Sequence, residues 1–525
     1  MTKVSEKLNS VKPSLVFLGL AVVIGGYLRL SRAIPADFPL NDGGLFYQMT
    51  QELMVNHFRL PLFTSYNHLQ IPYAYPPLAF YVTAGLNQLF GWQLLDIFRL
   101  FPAVISILTI PAAYLLIKDL TDDDNLLSLA ALIFSILPVT FDWAIMGGGV
   151  TRAPGFLFAL LALHFTIRLF KRGDLWSLIF ASLCLSLAIL FHPETGFHAA
   201  VSVPVLWFFL NRQKKGVGQT GLIGLFTIIL TSPWWASVLQ AHGLTPFLSA
   251  FATAEQHGNA FFFPLSVTIT NELGTDSIAI LALIGGVFYL AKKQWFLPAW
   301  ALISYTVAPR SAKIFISICV VIFAAYALEL LINWLDAQKS KADPSLATPR
   351  FLSSPYSQIL LALLFLQWLP SSMRVVNQYS YNKLSEGERT AFAWIGENTD
   401  AKSKFLVLTN YFWSVDPVSE WFPVLTGRTS VATVQGSEWL ERGTYSTAED
   451  KAQELRYCTE QDPSCIKEWA LKYNVNYDYL YIRKLRVQNS VELVHYDSAL
   501  VELLRASPEY SLVYETNDAA VFQRK

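Results

Sequence analysis

An acidic residue close to the N-terminus, Asp42, is the first candidate for chemistry. It follows the first long apolar run and stands in the sequence Asn41-Asp42-Gly43-Gly44, where no neighbouring charge solvates it. A carboxylate at such a position can accept the proton of an attacking hydroxyl group as a general base. The same four residue types favour turns, so a structural turn aspartate is the alternative interpretation.

Cationic side chains stand at the predicted outer ends of later apolar runs. Arg152 follows three consecutive glycines, which let a backbone approach a ligand closely. Arg310 and Lys313 are three residues apart and would share one face of a helix. These three cations could bind a donor phosphate through charge-assisted hydrogen bonds. Contact with phospholipid headgroups is the alternative interpretation.

Tyr75 and Asp142 belong to two further segments of unusual composition on the same predicted side. Tyr75 lies in an aromatic and proline-rich cluster, residues 71–77, whose rings suit stacking on a sugar. Asp142 stands between Phe141 and Trp143, shortly before the three glycines. We interpret both as candidate substrate-binding residues.

A short segment rich in histidine offers a third group of candidates. His192, Glu194 and His198 lie within seven residues and could contact substrate, cap a helix or bind a divalent metal. Pro193 and Gly196 predict a turn there, so the helical spacing of metal ligands does not apply. We therefore interpret His192 and Glu194 as substrate-binding or capping residues. A divalent metal remains an alternative, and no other cofactor is predicted.

The overall composition describes the environment of these residues. The chain has 525 residues, of which 53% are hydrophobic and only 15% are charged, whereas soluble proteins carry about 25% charged residues. The formal net charge is zero, which excludes a dedicated nucleic-acid binder with a large basic excess. Four cysteines exclude a disulfide-dense secreted scaffold.

The charged residues are distributed unevenly along the chain. Residues 1–371 contain 40 of them, about 11%, and residues 372–525 contain 38, about 25%. The sequence therefore predicts a multi-span membrane domain over residues 1–371, followed by a soluble domain over residues 372–525.

Apolar runs of roughly 17–25 residues can cross the hydrocarbon core as helices. The sequence predicts about eleven spans, near residues 14–30, 97–117, 125–141, 154–170, 175–191, 196–211, 220–238, 277–291, 294–308, 312–334 and 356–371. The first outer loop, residues 31–96, contains an amphipathic stretch and a shorter apolar run, which predict two juxtamembrane helices.

The lysines and arginines of the short loops predict the orientation in a cell membrane. With a cytoplasmic N-terminus, fifteen of the 22 basic residues before residue 372 fall inside. The other seven, Arg29 and Arg32 among them, lie on the outer side or at outer span ends. An odd number of spans places the C-terminal domain outside the cytoplasm.

The C-terminal domain alternates helix-like and strand-like stretches, which predicts a small α/β domain. It ends in a predicted hairpin of residues 510–515 and 519–523. Cys458 and Cys465 are seven residues apart and are either a disulfide in an oxidising compartment or two free thiols. Cys184 and Cys319 lie within spans, and we expect them to be packing residues.

The order of motifs near the N-terminus resembles the GT-C superfamily of integral-membrane glycosyltransferases. The closest branch is that of protein O-mannosyltransferases and aminoarabinose transferases. The segments that carry the resemblance are Asn41-Asp42-Gly43-Gly44-Leu45-Phe46-Tyr47, Tyr75-Pro76-Pro77-Leu78-Ala79-Phe80-Tyr81, Leu89-Phe90-Gly91 and Arg99-Leu100-Phe101-Pro102. The segment Glu420–Arg428 also looks like the outer domains of such enzymes. Two departures are Gly43, where the family has a second acid, and Thr151–Pro154, where it often has an aspartate.

The resemblance implies a polytopic helical fold and an inverting transfer of a sugar from a polyprenyl-phosphate donor on the outer face. Asp42 matches the position of the family's base. The acceptor would be a hydroxyl group of a protein, lipid or glycan. Two other classes stay open: a lipid or polysaccharide transporter or flippase, and a non-catalytic glycan- or lipid-binding scaffold. Functional charges near the bilayer midplane would favour a transporter.

Overall fold

The computed structural model describes residues 12–255, 276–342, 352, 354–378, 383–488, 492–496 and 498–525. Helices account for nearly all of the described chain up to residue 378. They are α1 Pro13–Ala33, α2 Gly43–Val55, α3 Leu78–Phe90, α4 Leu94–Leu120, α5 Asp124–Ile136, α6 Gly149–Arg172, α7 Leu175–Phe191, α8 Pro193–Leu210, α9 Lys214–His242, α10 Thr245–Glu255, α11 Asp276–Ala291, α12 Phe296–Val307, α13 Pro309–Ala342 and α14 Pro355–Gln378.

Each predicted span falls on one of these helices. Among the described residues, five helices are long and apolar enough to cross a membrane: α1, α4, α6, α9 and, over Ser311–Gln338, α13. Shorter apolar helices include α5, α7 and α12. The helix α5 ends at Ile136, before the predicted limit at residue 141, because Pro138 disfavours helical backbone at the residue before it. The count of eleven spans stays a prediction.

The spanning helices pack around one extended apolar core. In this core α1 lies against α4 and α5, and α6 lies against α4 and α7. Arg29 of α1 is fully buried there and donates hydrogen bonds to Oγ of Ser106 at 3.0 Å and to the carbonyl of Ser135 at 2.9 Å. A buried charge needs such partners. Arg29 is therefore a packing residue, although the sequence placed it among the outer cations.

The first outer loop forms a second apolar cluster above this bundle. Helices α2 and α3, which match the two predicted juxtamembrane helices, pack against each other through Leu45, Phe46 and Phe80. The short strands β1 Phe63–Thr64 and β2 Ile71–Pro72 pair between them in antiparallel register. This cluster supports the segment that carries Asp42.

The C-terminal domain has the α/β character that the sequence predicts. Its elements are α15 Glu386–Asn398, β3 Lys404–Leu408, α16 Pro417–Thr426, β4 Thr429–Ser430, α17 Thr444–Tyr457, α18 Pro463–Lys472, β5 Tyr479–Arg483, β6 Leu485–Gln488, β7 Glu492–His495, α19 Ala499–Ala506, β8 Tyr510–Glu515 and β9 Ala519–Arg524.

Five of these strands form one sheet in the order β4-β3-β5-β9-β8. Strand β3 is parallel to β4 and β5, and β9 is antiparallel to β5 and β8. Strands β6 and β7 form a separate hairpin.

The predicted domain boundary at residue 371 falls within helix α14. Helix α14 continues through Pro370 to Gln378, and the first helix of the C-terminal domain begins at Glu386. The composition changes before the helix ends, because polar residues such as Ser371, Ser372 and Arg374 follow Pro370. The boundary drawn from composition therefore marks the end of the apolar part of α14.

The four cysteines comprise one disulfide and two free thiols. Cys458 and Cys465 form a disulfide with a Cα–Cα distance of 5.5 Å, which decides between the two alternatives left by the sequence. Cys184 and Cys319 are buried free thiols, so their prediction as packing residues is confirmed.

Candidate active site

Asp42 lies in a tight turn directly before α2. Asn41 and Asp42 both adopt left-handed backbone conformations, with φ of 61° and 73°. Asparagine and aspartate tolerate this region better than other non-glycine residues. The turn interpretation is therefore correct for the backbone of Asp42, and its carboxylate remains available for a separate role.

The three consecutive glycines, Gly147 to Gly149, form a loop that packs directly on this turn. We call it the glycine loop. The amides of Gly147 and Gly148 donate to the carbonyls of Leu40 and Asn41 at 2.6 and 2.7 Å. A Cβ atom on Gly147 would lie 2.3 Å from Cα of Gly43, far inside contact distance. The glycines do allow a close approach of backbone, as the sequence suggested, but to another loop of the chain.

Arg152 of α6 forms an ion pair with Asp42. Its Nη2 lies 2.5 Å from Oδ2 of Asp42, and the two side chains are 20% and 23% exposed. Among the residues that the structure describes, Nη1 of Arg152 has no hydrogen-bond partner although it is buried. The guanidinium lies 5.7 Å from the ring of Trp143. The base candidate and one cation predicted for phosphate binding thus meet, with donor capacity left on the cation.

Tyr75 lies beside this pair. Its hydroxyl donates to Oγ1 of Thr151 at 3.1 Å. Its ring packs against Phe46, with 4.8 Å between ring centroids, and against Trp439 at 5.6 Å. Tyr75 therefore joins the outer loop, the start of α6 and the C-terminal domain.

The charges around Tyr75 show which candidates come together. Burial raises the pKa of Tyr75 above its ordinary value, Arg152 opposes this shift, and the negative charges of Asp42 and Glu194 add to it. Such effects need short distances. Glu194, in the first turn of α8, therefore lies within electrostatic range of Tyr75.

His192 has the capping role that the sequence offered as one interpretation. Its Nδ1 accepts from the backbone amide of Thr195 at 3.3 Å, at the start of α8. A Cβ atom on Gly155 would lie 2.6 Å from Cβ of His192, so this residue packs against α6 one turn beyond Arg152. His192 thus connects α8 with the helix that carries the cation.

The two histidines of this segment point to different partners. His198 is buried, its Nε2 lies 2.9 Å from Oγ of Ser311, and its ring stacks on Phe315. No group of three or more histidine, cysteine, aspartate or glutamate side chains in the described part of the chain is placed to hold a metal. The described residues therefore provide no set of ligands for the divalent metal that the sequence left open as an alternative.

Asp142 lies five residues before the glycine loop. It is buried and forms an ion pair with Arg32 at the end of α1. This pair connects the first span to the loop before α6. The structure thus gives Asp142 a positional role, and a contact with substrate stays a prediction.

Arg310 and Lys313 lie in the first turn and a half of α13. The side chain of Arg310 lies outside the described residues. Lys313 is partly buried, and Ser311 beside it contacts His198 of α8. The start of α13 therefore adjoins the start of α8, where Glu194 lies.

Glu420 of α16 is a site residue that the sequence did not single out for a role. Its side chain is fully buried, and its carboxylate accepts from the amides of Asn41 at 2.7 Å and Gly44 at 2.9 Å. Burial raises the pKa of Glu420 to about 8, and Asp42 adds to the shift. The contact with Gly44 joins residues 376 positions apart. No local sequence pattern predicts a contact at that separation.

Trp421, Trp439 and Arg428 of the C-terminal domain are residue types that could contact a glycan or pack within the protein. Nε1 of Trp421 donates to the carbonyl of Pro39 at 3.0 Å, and Trp439 packs on Tyr75. Both therefore lie at the interface between the domains. Arg428 donates to backbone carbonyls within its own domain, including that of Thr399 at 2.7 Å, and is a packing residue.

Comparisons with known proteins agree with this fold. Residues 74–236 match the family of dolichyl-phosphate-mannose-protein mannosyltransferases. No curated protein sequence matches the chain significantly. It also resembles solved structures, among them those of three proteins that each share 14% sequence identity with it.

The first is the Archaeoglobus fulgidus oligosaccharyltransferase in the apo form, with a TM-score of 0.57 over 90% of this chain and 69% of the other. The second is ArnT from Cupriavidus metallidurans bound to undecaprenyl phosphate, with a TM-score of 0.53 over 97% of both chains. The third is the arabinofuranosyltransferase AftD from Mycobacteria, with a TM-score of 0.55 over 97% of this chain and 40% of the other.

These comparisons confirm the resemblance drawn from the motifs. The chain has the GT-C fold, a polytopic helical membrane domain followed by an α/β domain.

Proposed function

We propose that the protein is a membrane glycosyltransferase that moves a sugar from a polyprenyl-phosphate donor to a hydroxyl group of an acceptor. The ion pair of Asp42 and Arg152 carries this proposal, because it holds a proton acceptor and a phosphate-binding cation 2.5 Å apart. Two similarities support a lipid-phosphate donor. The structure of ArnT contains bound undecaprenyl phosphate, and the matched family is named for dolichyl-phosphate mannose.

In the proposed reaction Asp42 accepts the proton of the acceptor hydroxyl. The acceptor oxygen forms a bond to the anomeric carbon from the face opposite the phosphate. The bond between the anomeric carbon and the phosphate oxygen breaks, and its electron pair leaves with the lipid phosphate. Attack from the opposite face inverts the configuration of the sugar.

Arg152 acts on the leaving group in this proposal. One N–H edge of its guanidinium is bonded to Asp42, and the buried Nη1 has no partner among the described residues. A phosphate oxygen at that nitrogen would receive a charge-assisted hydrogen bond that strengthens as negative charge develops. Arg310 and Lys313, at the start of α13, are proposed as further cations that bind the lipid phosphate.

The sugar or acceptor site is proposed to lie beside Tyr75, His192 and Glu194. Tyr75 offers an aromatic wall next to the ion pair, and aromatic faces suit the apolar face of a sugar ring. Glu194 adds a carboxylate that can accept hydrogen bonds from sugar hydroxyl groups. Arg152 and Glu194 are both within electrostatic range of Tyr75, because both act on its pKa.

The reaction is proposed to occur on the outer face of the membrane, with the N-terminus in the cytoplasm. The excess of lysine and arginine in the other loops supports this orientation. The disulfide between Cys458 and Cys465 supports it independently, because such bonds persist in oxidising compartments.

The test measures lipid phosphate released by the purified protein in lipid nanodiscs. The donors are dolichyl-phosphate mannose and undecaprenyl-phosphate mannose, and the acceptors are a serine- and threonine-rich peptide and a glycolipid extract. Asp42→Asn should lower kcat by about 100-fold or more and leave the binding of undecaprenyl phosphate intact. The matched control is Asp96→Asn, an exposed acid of the same outer segment that pairs with Arg99.

Three results would contradict the proposal. An unchanged rate for Asp42→Asn would exclude Asp42 as the base. Binding of undecaprenyl phosphate without any sugar release would favour a scaffold, and passage of the lipid across a sealed bilayer would favour a flippase.

A further inference from the structure

Helix α16 of the C-terminal domain packs against the turn that carries the proposed base. We infer that Glu420 on this helix is a positioning residue for Asp42, so that the C-terminal domain completes the active site. The inference rests on the proposed function, because it assigns Glu420 a role in the same reaction.

The two oxygens of Glu420 hold the turn on both sides of Asp42. Oε2 accepts from the amide of Asn41 at 2.7 Å, and Oε1 accepts from the amide of Gly44 at 2.9 Å. Nε2 of Gln435 also donates to Oε2, at 3.4 Å. The backbone on each side of Asp42 is therefore attached to one rigid, buried group.

The turn needs such an anchor because of its conformation. Asn41 and Asp42 are both left-handed, and each such residue costs roughly 1 kcal/mol or more. Two left-handed residues in succession persist only where surrounding contacts hold them in that conformation. The amides of Gly147 and Gly148 hold one side of the turn, and Glu420 holds the other.

The helix and the turn are also in direct backbone contact. A Cβ atom on Gly44 would lie 2.7 Å from the carbonyl oxygen of Glu420. The hydroxyl of Tyr66 donates to that same carbonyl at 2.7 Å, and the indole of Trp421 donates to Pro39 at 3.0 Å. A displacement of α16 would therefore move the turn and change the direction of the Asp42 carboxylate towards Arg152.

The first test variant is Glu420→Gln, which keeps the volume of the side chain. A carboxyl group accepts on both oxygens, whereas the amide nitrogen accepts none, so one of the two turn amides loses its partner. Hydrogen exchange of residues 41–44 should become about tenfold faster. The kcat for sugar transfer should fall by about 100-fold, the effect of a misplaced group. The KM for the donor that the wild-type protein uses should stay unchanged.

The matched control is Glu502→Gln, a carboxylate on α19 whose side chain is 74% exposed. It should leave both the hydrogen exchange of residues 41–44 and kcat at wild-type values. A second variant, Gly44→Ala, keeps the carboxylate of Glu420. It should displace α16 because the added Cβ on the turn would collide with the carbonyl oxygen of Glu420. It should reproduce the faster exchange and the lower kcat, even if Glu420→Gln fails to fold.

The outcomes separate this inference from the proposed function. If Asp42→Asn is inactive while Glu420→Gln keeps the wild-type kcat, the positioning role is overturned and the base assignment stands. If Glu420→Gln lowers kcat without faster exchange of residues 41–44, the positioning role is also overturned. If Asp42→Asn keeps full activity, the proposed function fails whatever Glu420→Gln does.

Discussion

Arg152 and Asp42 are 110 residues apart in sequence and lie 2.5 Å apart in the structure. Arg32 and Asp142 form a second ion pair with the same separation and the opposite polarity. The segments 32–42 and 142–152 therefore run side by side, and the amides of the glycine loop bridge them. The buried pair sets the register of the two segments, and the partly exposed pair is the one to which we assign the proposed chemistry.

The buried pair of Arg32 and Asp142 predicts a large effect on stability. Asp142→Asn leaves the Arg32 charge buried without its ion-pair carboxylate, so the free energy of unfolding should fall by about 3 kcal/mol. Thermal unfolding of the detergent-solubilised protein measures this change. The exposed acid Asp122 provides the control, because Asp122→Asn should not alter the unfolding temperature. An unfolding temperature for Asp142→Asn equal to that of the wild type would refute the structural role.

The close contact of the two loops predicts that Gly147→Ala disrupts the site. The added Cβ would meet Cα of Gly43 at 2.3 Å, so the turn must move and sugar transfer should fall by about 100-fold. Gly85→Ala is the matched control, because no atom lies within 4 Å of a Cβ at that helical position. It should be neutral or stabilising by about 0.5–1 kcal/mol. Normal transfer by Gly147→Ala would show that the loop contact is dispensable.

The ring of Tyr75 should matter more than its hydroxyl group. Tyr75→Phe removes one hydrogen bond to Thr151 and should cost about 1 kcal/mol of stability, with at most a fivefold loss of transfer. Tyr75→Ala also removes the wall that packs on Phe46 and Trp439, and the KM of the donor or acceptor should rise. Initial rates at varied substrate concentrations distinguish the two effects. Equal kinetics for both variants would argue against an aromatic substrate wall.

The disulfide predicts sensitivity of the C-terminal domain to reduction. Cys458→Ser combined with Cys465→Ser should lower the free energy of unfolding by about 2–3 kcal/mol, since the bond closes a short loop. Unfolding of the protein with and without reductant measures the loss. The double variant should be insensitive to reductant, and equal stability of the oxidised and reduced wild-type protein would contradict the prediction.

Glu420 predicts a pH dependence of stability. Its pKa rises from an ordinary value of 4.5 to about 8 in the folded state, mainly through burial. Between these values the folded protein binds the proton more tightly than the unfolded chain, so this contribution to stability is lost as pH rises from about 4.5 to 8. Unfolding temperatures across this range should fall less steeply for Glu420→Gln than for the wild type. Parallel curves would show that Glu420 does not titrate there.

Much of the fold was predictable because composition and periodicity report local environment. The change in charge content separated a membrane part from a soluble part, and the final hairpin lies where its pattern places it. Asp42 and Arg152 were predictable as individual candidates, since each is a charge at the end of an apolar run. The early end of α5 shows the limit of apolar runs, because Pro138 stops the helix before the run is over.

The sequence by itself determined which residue types stand at the outer ends of the spans. Only the tertiary structure decided which of them meet. It paired Arg152 with Asp42, placed Asp142 on Arg32, buried Arg29 in the bundle and brought Glu420 to the turn from 376 residues away. The physical reason is that an ion pair or a backbone anchor depends on how distant segments pack, whereas a local pattern reports only the average surroundings of its own segment.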